Sequence, residues 1–255
     1  MVRRMVVIFS IVASMFLPGC AFNSAEIQKE KSARAHVSLG RDHLLSNANQ
    51  EAYVEFQKAL EFDPANRDAH YYLGHIDFER KEYDDAAHEF GEVIRGRPSD
   101  SEAHNYLGFV LLTQGKRDEA IQEFRLALKN PTYATPEKPH YNLAWVYQRQ
   151  NKIPEAISEY REAIRINPNY TQPHYELGLL LTARGDFAVA IEEFKTVLQI
   201  SPGDLPTHFA LGKAYYSQKD FANARAAFNQ VISAEGAGEL AKEARRYLAL
   251  MKDAK

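Results

Sequence analysis

Residues 174–202, HYELGLLLTARGDFAVAIEEFKTVLQISP, place Leu177-Gly178 ahead of Ala190, Phe194 and Val197 and end on Pro202. The same spacing recurs from Leu39-Gly40, Leu73-Gly74, Leu107-Gly108, Leu143-Ala144 and Leu211-Gly212, so successive leucines are 34, 34, 36, 34 and 34 residues apart. Thirteen residues after each leucine lie Ala52, Ala86, Ala120, Ala156 and Ala224, and four further Phe56, Phe90, Phe124, Tyr160 and Phe228. Then come Ala59, Val93, Ala127, Ala163 and Val231, and Pro64, Pro98 and Pro168 close three more of the units. Small residues at the glycine and alanine positions let two antiparallel helices approach closely, while leucine and the aromatic fill the seam between them. Proline then stops the second helix.

This pattern resembles the tetratricopeptide repeat, and the resemblance covers residues 33–238. It implies an all-α solenoid, a right-handed superhelix of six helix-turn-helix repeats. The first helix is expected over residues 33–46, with residues 47–50 as its turn. Each helix pair leaves an apolar flank that a neighbouring pair must cover, so the end needs a cap. Residues 239–255 are expected to supply it as a helix carrying Leu240, Ala244, Tyr247, Leu248 and Met251 on one stripe.

Cys20 is the only cysteine, so no internal disulfide, redox pair or thiolate zinc site can form. It follows a basic start, Arg3-Arg4, an apolar run from Met5 to Phe16 and Leu17-Pro18-Gly19. That run is shorter than the ~20 residues a spanning helix needs. The arrangement resembles a bacterial lipoprotein signal. Residues 1–19 are then expected to be cleaved, with Cys20 as the lipidation site and residues 20–32 as a lipidated tether. Several acyl chains on one residue anchor stably. Ala21 in place of aspartate after the cysteine implies the outer membrane, with the repeats on the periplasmic face. Loss of the leader leaves 29 basic against 34 acidic residues, which disfavours nucleic acid as a partner.

Six histidines, His36, His70, His104, His140, His174 and His208, share one repeat position. Equivalent positions in stacked pairs lie ~10 Å apart, too far to converge on one zinc, so no metal is expected. The histidines are expected to be hydrogen-bonded in the seam between repeats. The opposite arc of each first helix, which lines the concave face in such solenoids, is rich in aromatics. It holds Tyr71, His75 and Phe78; Asn105, Phe109 and Leu112; Tyr141 and Trp145; Tyr175; and Phe209 and Tyr216. These eleven are the candidate partner-binding residues, because rigid rings bury much area at low entropy cost. An apolar or amphipathic helix of a protein partner suits such a face. No phosphate loop, metalloprotease motif or free thiol is present, so no enzymatic activity, cofactor or small-molecule substrate is expected. Asp84-Asp85 and Glu192-Glu193 read as solvated or dipole-complementing charges.

The one break in the repeat rhythm is the inserted segment Asn130-Pro131-Thr132-Tyr133-Ala134-Thr135-Pro136, continuing through Glu137 and Lys138 to Asn142-Leu143. With the lipoprotein signal, the six repeats and Asn105-Tyr106-Leu107-Gly108, it resembles the type IV pilus biogenesis lipoproteins of the PilF/PilW and Tgl pilotin class. That resemblance implies a non-enzymatic outer-membrane scaffold that binds a pilus secretin and aids its targeting and multimer assembly. The alternative is a periplasmic adaptor lipoprotein recruiting cell-wall hydrolases or synthases.

Overall fold

The computed structural model describes residues 18–251, and among these it contains thirteen α-helices and no strand. They form two compact units that divide between Gly96 and Arg97. The first holds α1 (Pro18–Leu45), α2 (Asn49–Phe62), α3 (Arg67–Glu79) and α4 (Tyr83–Gly96). The second holds α5 (Ser101–Thr113), α6 (Arg117–Ala127), α7 (Glu137–Arg149), α8 (Ile153–Ile166), α9 (Thr171–Arg184), α10 (Phe187–Ile200), α11 (Leu205–Ser217), α12 (Phe221–Glu235) and α13 (Glu239–Leu250).

Each repeat leucine lies inside a first helix, and in five of the six repeats the glycine after it is where that helix packs back on its second helix. A Cβ added at Gly40, Gly108, Gly178 or Gly212 would stand 2.6–2.7 Å from the ring of Phe56, Phe124, Phe194 or Phe228. The fourth repeat departs, with Ala144 in place of glycine and Tyr160 in place of phenylalanine; the Tyr160 hydroxyl donates to Gln148 Oε1 at 2.8 Å. Between the two helices one residue per repeat turns left-handed: Asn47, Lys81, Gly115, Asn151, Gly185 and Lys219. This is the usual way an α-helix ends, and glycine or asparagine adopts it with least strain. Asn66, Asp100, Asp204 and Asp220 cap α3, α5, α11 and α12 by accepting a hydrogen bond from the backbone N–H three residues on.

The cap forms as the stripe requires. Ala244 and Met251 are buried with Phe209 and Phe228, and Leu240, Tyr247 and Leu248 pack against them. The stretch read as a tether differs: α1 runs unbroken from Pro18, so the residues before Ala33 continue the first helix of the repeat. Polar residues without an apolar period still propagate a helix that tertiary contacts have nucleated further along. The leader residues 1–17 lie outside the described residues, as does the Cys20 side chain.

The histidines are hydrogen-bonded both inside each helix pair, to a glutamate of the second helix, and, for His70, His104, His174 and His208, to the carbonyl of the proline that closes the preceding repeat. Nδ1 of His36, His70, His104, His140 and His174 lies 2.5–2.7 Å from Oε2 of Glu55, Glu89, Glu123, Glu159 and Glu193, always nineteen residues on. Glu193, read as a solvated charge, is thus a partner of His174. Nε2 of His70 and His104 also lies 3.0 Å from the carbonyls of Pro64 and Pro98. A carbonyl and a carboxylate only accept, so both ring nitrogens of these two must carry protons. Burial alone would lower their pKa, but the glutamate and carbonyl bonds outweigh it and leave both raised.

Candidate partner-binding face

The eleven candidate residues fall three in the first unit and eight in the second. On α3, Tyr71 meets His75 edge-on at 4.6 Å between ring centroids, and Phe78 packs 5.5 Å from Tyr83. Beside them Asp77 is only 3% exposed, and its Oδ1 lacks a hydrogen-bond partner. Burial, with Glu89, Glu82 and Asp85 adding to it, pushes its pKa up to about 6.

In the second unit the first helices α5, α7, α9 and α11 carry the candidates, and their fates divide. Phe109 is 41% exposed. Leu112, Tyr141, Trp145 and Tyr175 are half-buried, packed on the core with one side left to solvent. Tyr141 leans on Tyr160 and Tyr170 at 6.0 and 5.4 Å, and Tyr175 on Phe194 at 6.0 Å. The Trp145 ring is covered by the Arg149 guanidinium, 3.9 Å from its centroid, a cation–π contact that keeps both groups at the surface. Burial raises the phenol pKa of Tyr141 and Tyr175 and pushes that of Tyr170 up to about 12, so all three stay neutral donors.

Three candidates serve the fold instead. Asn105 is 4% exposed and accepts a hydrogen bond from Asn142 Nδ2 at 3.1 Å, tying α5 to α7 across the insertion. Phe209 is 8% exposed between Phe228 and Tyr247, and Tyr216 packs edge-on against Tyr247 at 5.2 Å. The capping helix α13 therefore covers the last repeat's share of the aromatic arc. The repeat register alone, which ends before α13, could not reveal that.

The inserted segment is pinned to α5: the Tyr133 hydroxyl donates to Glu102 Oε2 at 2.8 Å and Lys138 Nζ approaches Glu102 Oε1 at 3.7 Å. A residue absent from the candidates also stands in this unit. Glu176, half-buried on α9, has its pKa raised by burial, with Arg149 opposing. Nothing in its own spacing sets it apart from an ordinary helix charge. Among the described residues no three metal-ligating side chains gather, and no helix is long and apolar enough to cross a membrane.

Three family models match the sequence. Two described as tetratricopeptide repeat match residues 38–95 and 71–135, and 181–251, and one described as TPR repeat matches residues 146–182. No curated protein matches. Among solved structures, PilW, described as a widely conserved type IV pilus biogenesis factor, superposes with a TM-score of 0.74 at 20% identity, covering 83% of this chain and 97% of that one. PilF of Pseudomonas aeruginosa gives 0.76 at 20% identity over 86% and 99%. YrrB, described as a TPR protein with an unusual peptide-binding site, gives 0.60 at 20% identity over 75% and 97%. At these identities the likeness is one of fold. The matched repeats, the glycine-on-ring packing and the thirteen helices together make the conclusion plain: the chain belongs to the tetratricopeptide-repeat family.

Proposed function

We propose that this protein is a lipoprotein scaffold, held at the periplasmic face of the outer membrane by acylated Cys20, that binds a type IV pilus secretin and promotes its targeting and multimer assembly. The observation that carries the reading is the end-to-end superposition on PilW and PilF, which takes in 97% and 99% of those chains. The lipoprotein-like start and the inserted segment around Tyr133 support it from the sequence side. The scaffold acts by binding and does no chemistry. An acyl anchor confines it to one membrane surface, and a bound secretin segment is confined with it, which raises the effective concentration of subunits for ring formation. The partly exposed rings of Phe109, Tyr141, Trp145 and Tyr175 in the second unit are the proposed grip.

The test is a strain lacking the gene, complemented with wild-type, Cys20→Ser or Trp145→Ala protein. Heat-resistant secretin multimers are then measured in outer-membrane fractions. Wild-type should restore them, Cys20→Ser should leave the secretin mislocalised, and Trp145→Ala should reduce multimers at unchanged scaffold abundance. Normal multimers in the strain lacking the gene would refute the proposal.

A further inference from the structure

A cleft of about 270 Å³ opens in the second unit between the start of α9, the end of α10 and the start of α11, lined by Gln172, Tyr175, Glu176, Ser201, Asp204 and Thr207 among others. It is slightly smaller than the ~300 Å³ at which small-molecule pockets begin. One long side chain suits it better.

Two of its residues break the repeat pattern. Immediately before the repeat leucine the other repeats carry Ser38, Tyr72, Tyr106, Asn142 and Ala210, whereas the fifth carries Glu176. Four residues before that leucine the others carry Ala35, Ala69, Ala103, Pro139 and Pro173, whereas the sixth carries Thr207. Both departures cost folding free energy as they stand. Thr207 is 0% exposed and its Oγ1 has no hydrogen-bond partner. The Glu176 carboxylate is partly desolvated, and among the described residues no hydrogen bond or ion pair engages it; Arg149 stays over Trp145. Desolvated carboxylates are normally paired, and the described residues supply no counter-charge in contact with this one.

We propose that this cleft receives a lysine or arginine side chain of the partner segment, with Glu176 as its counter-charge. The chemistry is that of a cation receptor. The Glu176 carboxylate can only accept, and Asp204 spends one oxygen on the Thr207 N–H at 3.0 Å and keeps the other. The Ser201 hydroxyl can accept as well, while Thr207, fully buried, forms the floor of the cleft. The Tyr175 ring adds a face suited to a cation. The inference rests on the reading of this unit as a partner-binding face, and it adds a basic residue to the apolar segment that face should grip.

The purified full chain, Glu176→Gln and Glu176→Lys are each panned against a random peptide library. Wild-type should select apolar peptides with a basic residue at one fixed spacing from the apolar positions. Glu176→Gln should keep the apolar preference and lose the basic one, and Glu176→Lys should select an acid there. A selected basic peptide should bind Glu176→Gln about tenfold more weakly or worse. The melting temperature of Glu176→Gln should hold or rise, since an unpaired carboxylate is removed. Apolar peptides without a basic position would overturn the cleft assignment and leave the binding face standing. No selection by wild-type would overturn both. A sharp fall in melting temperature would show that Glu176 is paired within the chain and would also sink the assignment.

Discussion

Gly178→Ala tests the packing on which every repeat depends. A methyl at that position would stand 2.6, 2.8 and 2.9 Å from three atoms of the Phe194 ring, well inside van der Waals contact. Phe194 is 0% exposed, so the ring can move only into packed neighbours. Overpacking of this kind costs about 1–3 kcal/mol, and three short contacts to one rigid ring place it in the upper part of that range. Replacing glycine inside a helix returns about 1 kcal/mol. The net expectation is destabilisation by about 1–2 kcal/mol. Gly74→Ala should be nearly neutral, because its nearest contact, Phe90 Cζ, is 3.0 Å away and a small shift relieves it. Urea unfolding followed by far-ultraviolet circular dichroism measures both. Phe194→Leu removes the ring, so in that background Gly178→Ala should become neutral or stabilising. An equal penalty in both backgrounds would show that the glycine is needed for some other reason.

Three further perturbations follow from single residues. Asp77→Asn should stabilise the protein by about 3 kcal/mol at pH 7 and by almost nothing below about pH 3.8. The folded pKa of about 6 lies above the ordinary aspartate value of 3.8, so the cost of ionising Asp77 appears as pH rises between those values. For His70 and His104 the raised folded pKa means that their contribution is complete below the unfolded value of about 6.5 and is lost as pH climbs through the folded one; urea midpoints should fall toward alkaline pH, and less so in His104→Gln. Gly185→Ala should cost about 1 kcal/mol although nothing lies within 4 Å of the added methyl, because its φ of 91° suits no L side chain; an unchanged urea midpoint would contradict this.

The helix pairs and the C-terminal cap were legible in the sequence because leucine, glycine, alanine and aromatic positions are dictated by close packing at fixed spacing. The turns were half legible. Gly115, Gly185, Asn47 and Asn151 advertise a left-handed residue, but Lys81 and Lys219 occupy the same place, and only the backbone discloses them. Shared histidines showed a common role between repeats, which their bonds to the closing prolines bear out, but their glutamate partners on the other helix of the same pair appear only once Glu55, Glu89, Glu123, Glu159 and Glu193 are counted nineteen residues on. The aromatic arc is legible as a pattern in the sequence, but not which of its members the fold itself consumes. Asn105, Phe209 and Tyr216 are engaged by Asn142 and Tyr247, contacts between segments that no single-helix register contains. Glu176 went unnoticed because an unpaired charge becomes unusual only when its burial is known.

The central claim is that the first helices of the second unit hold a secretin segment, and a photo-crosslinking amino acid placed at Phe109 in living cells tests it directly. Phe109 is exposed on α5 and Arg161 is exposed on α8, a second helix. The account predicts an adduct with the secretin from position 109, absent from position 161 and lost when Cys20 is replaced by serine. An adduct with a cell-wall hydrolase or synthase, or equal secretin adducts from both positions, would contradict it.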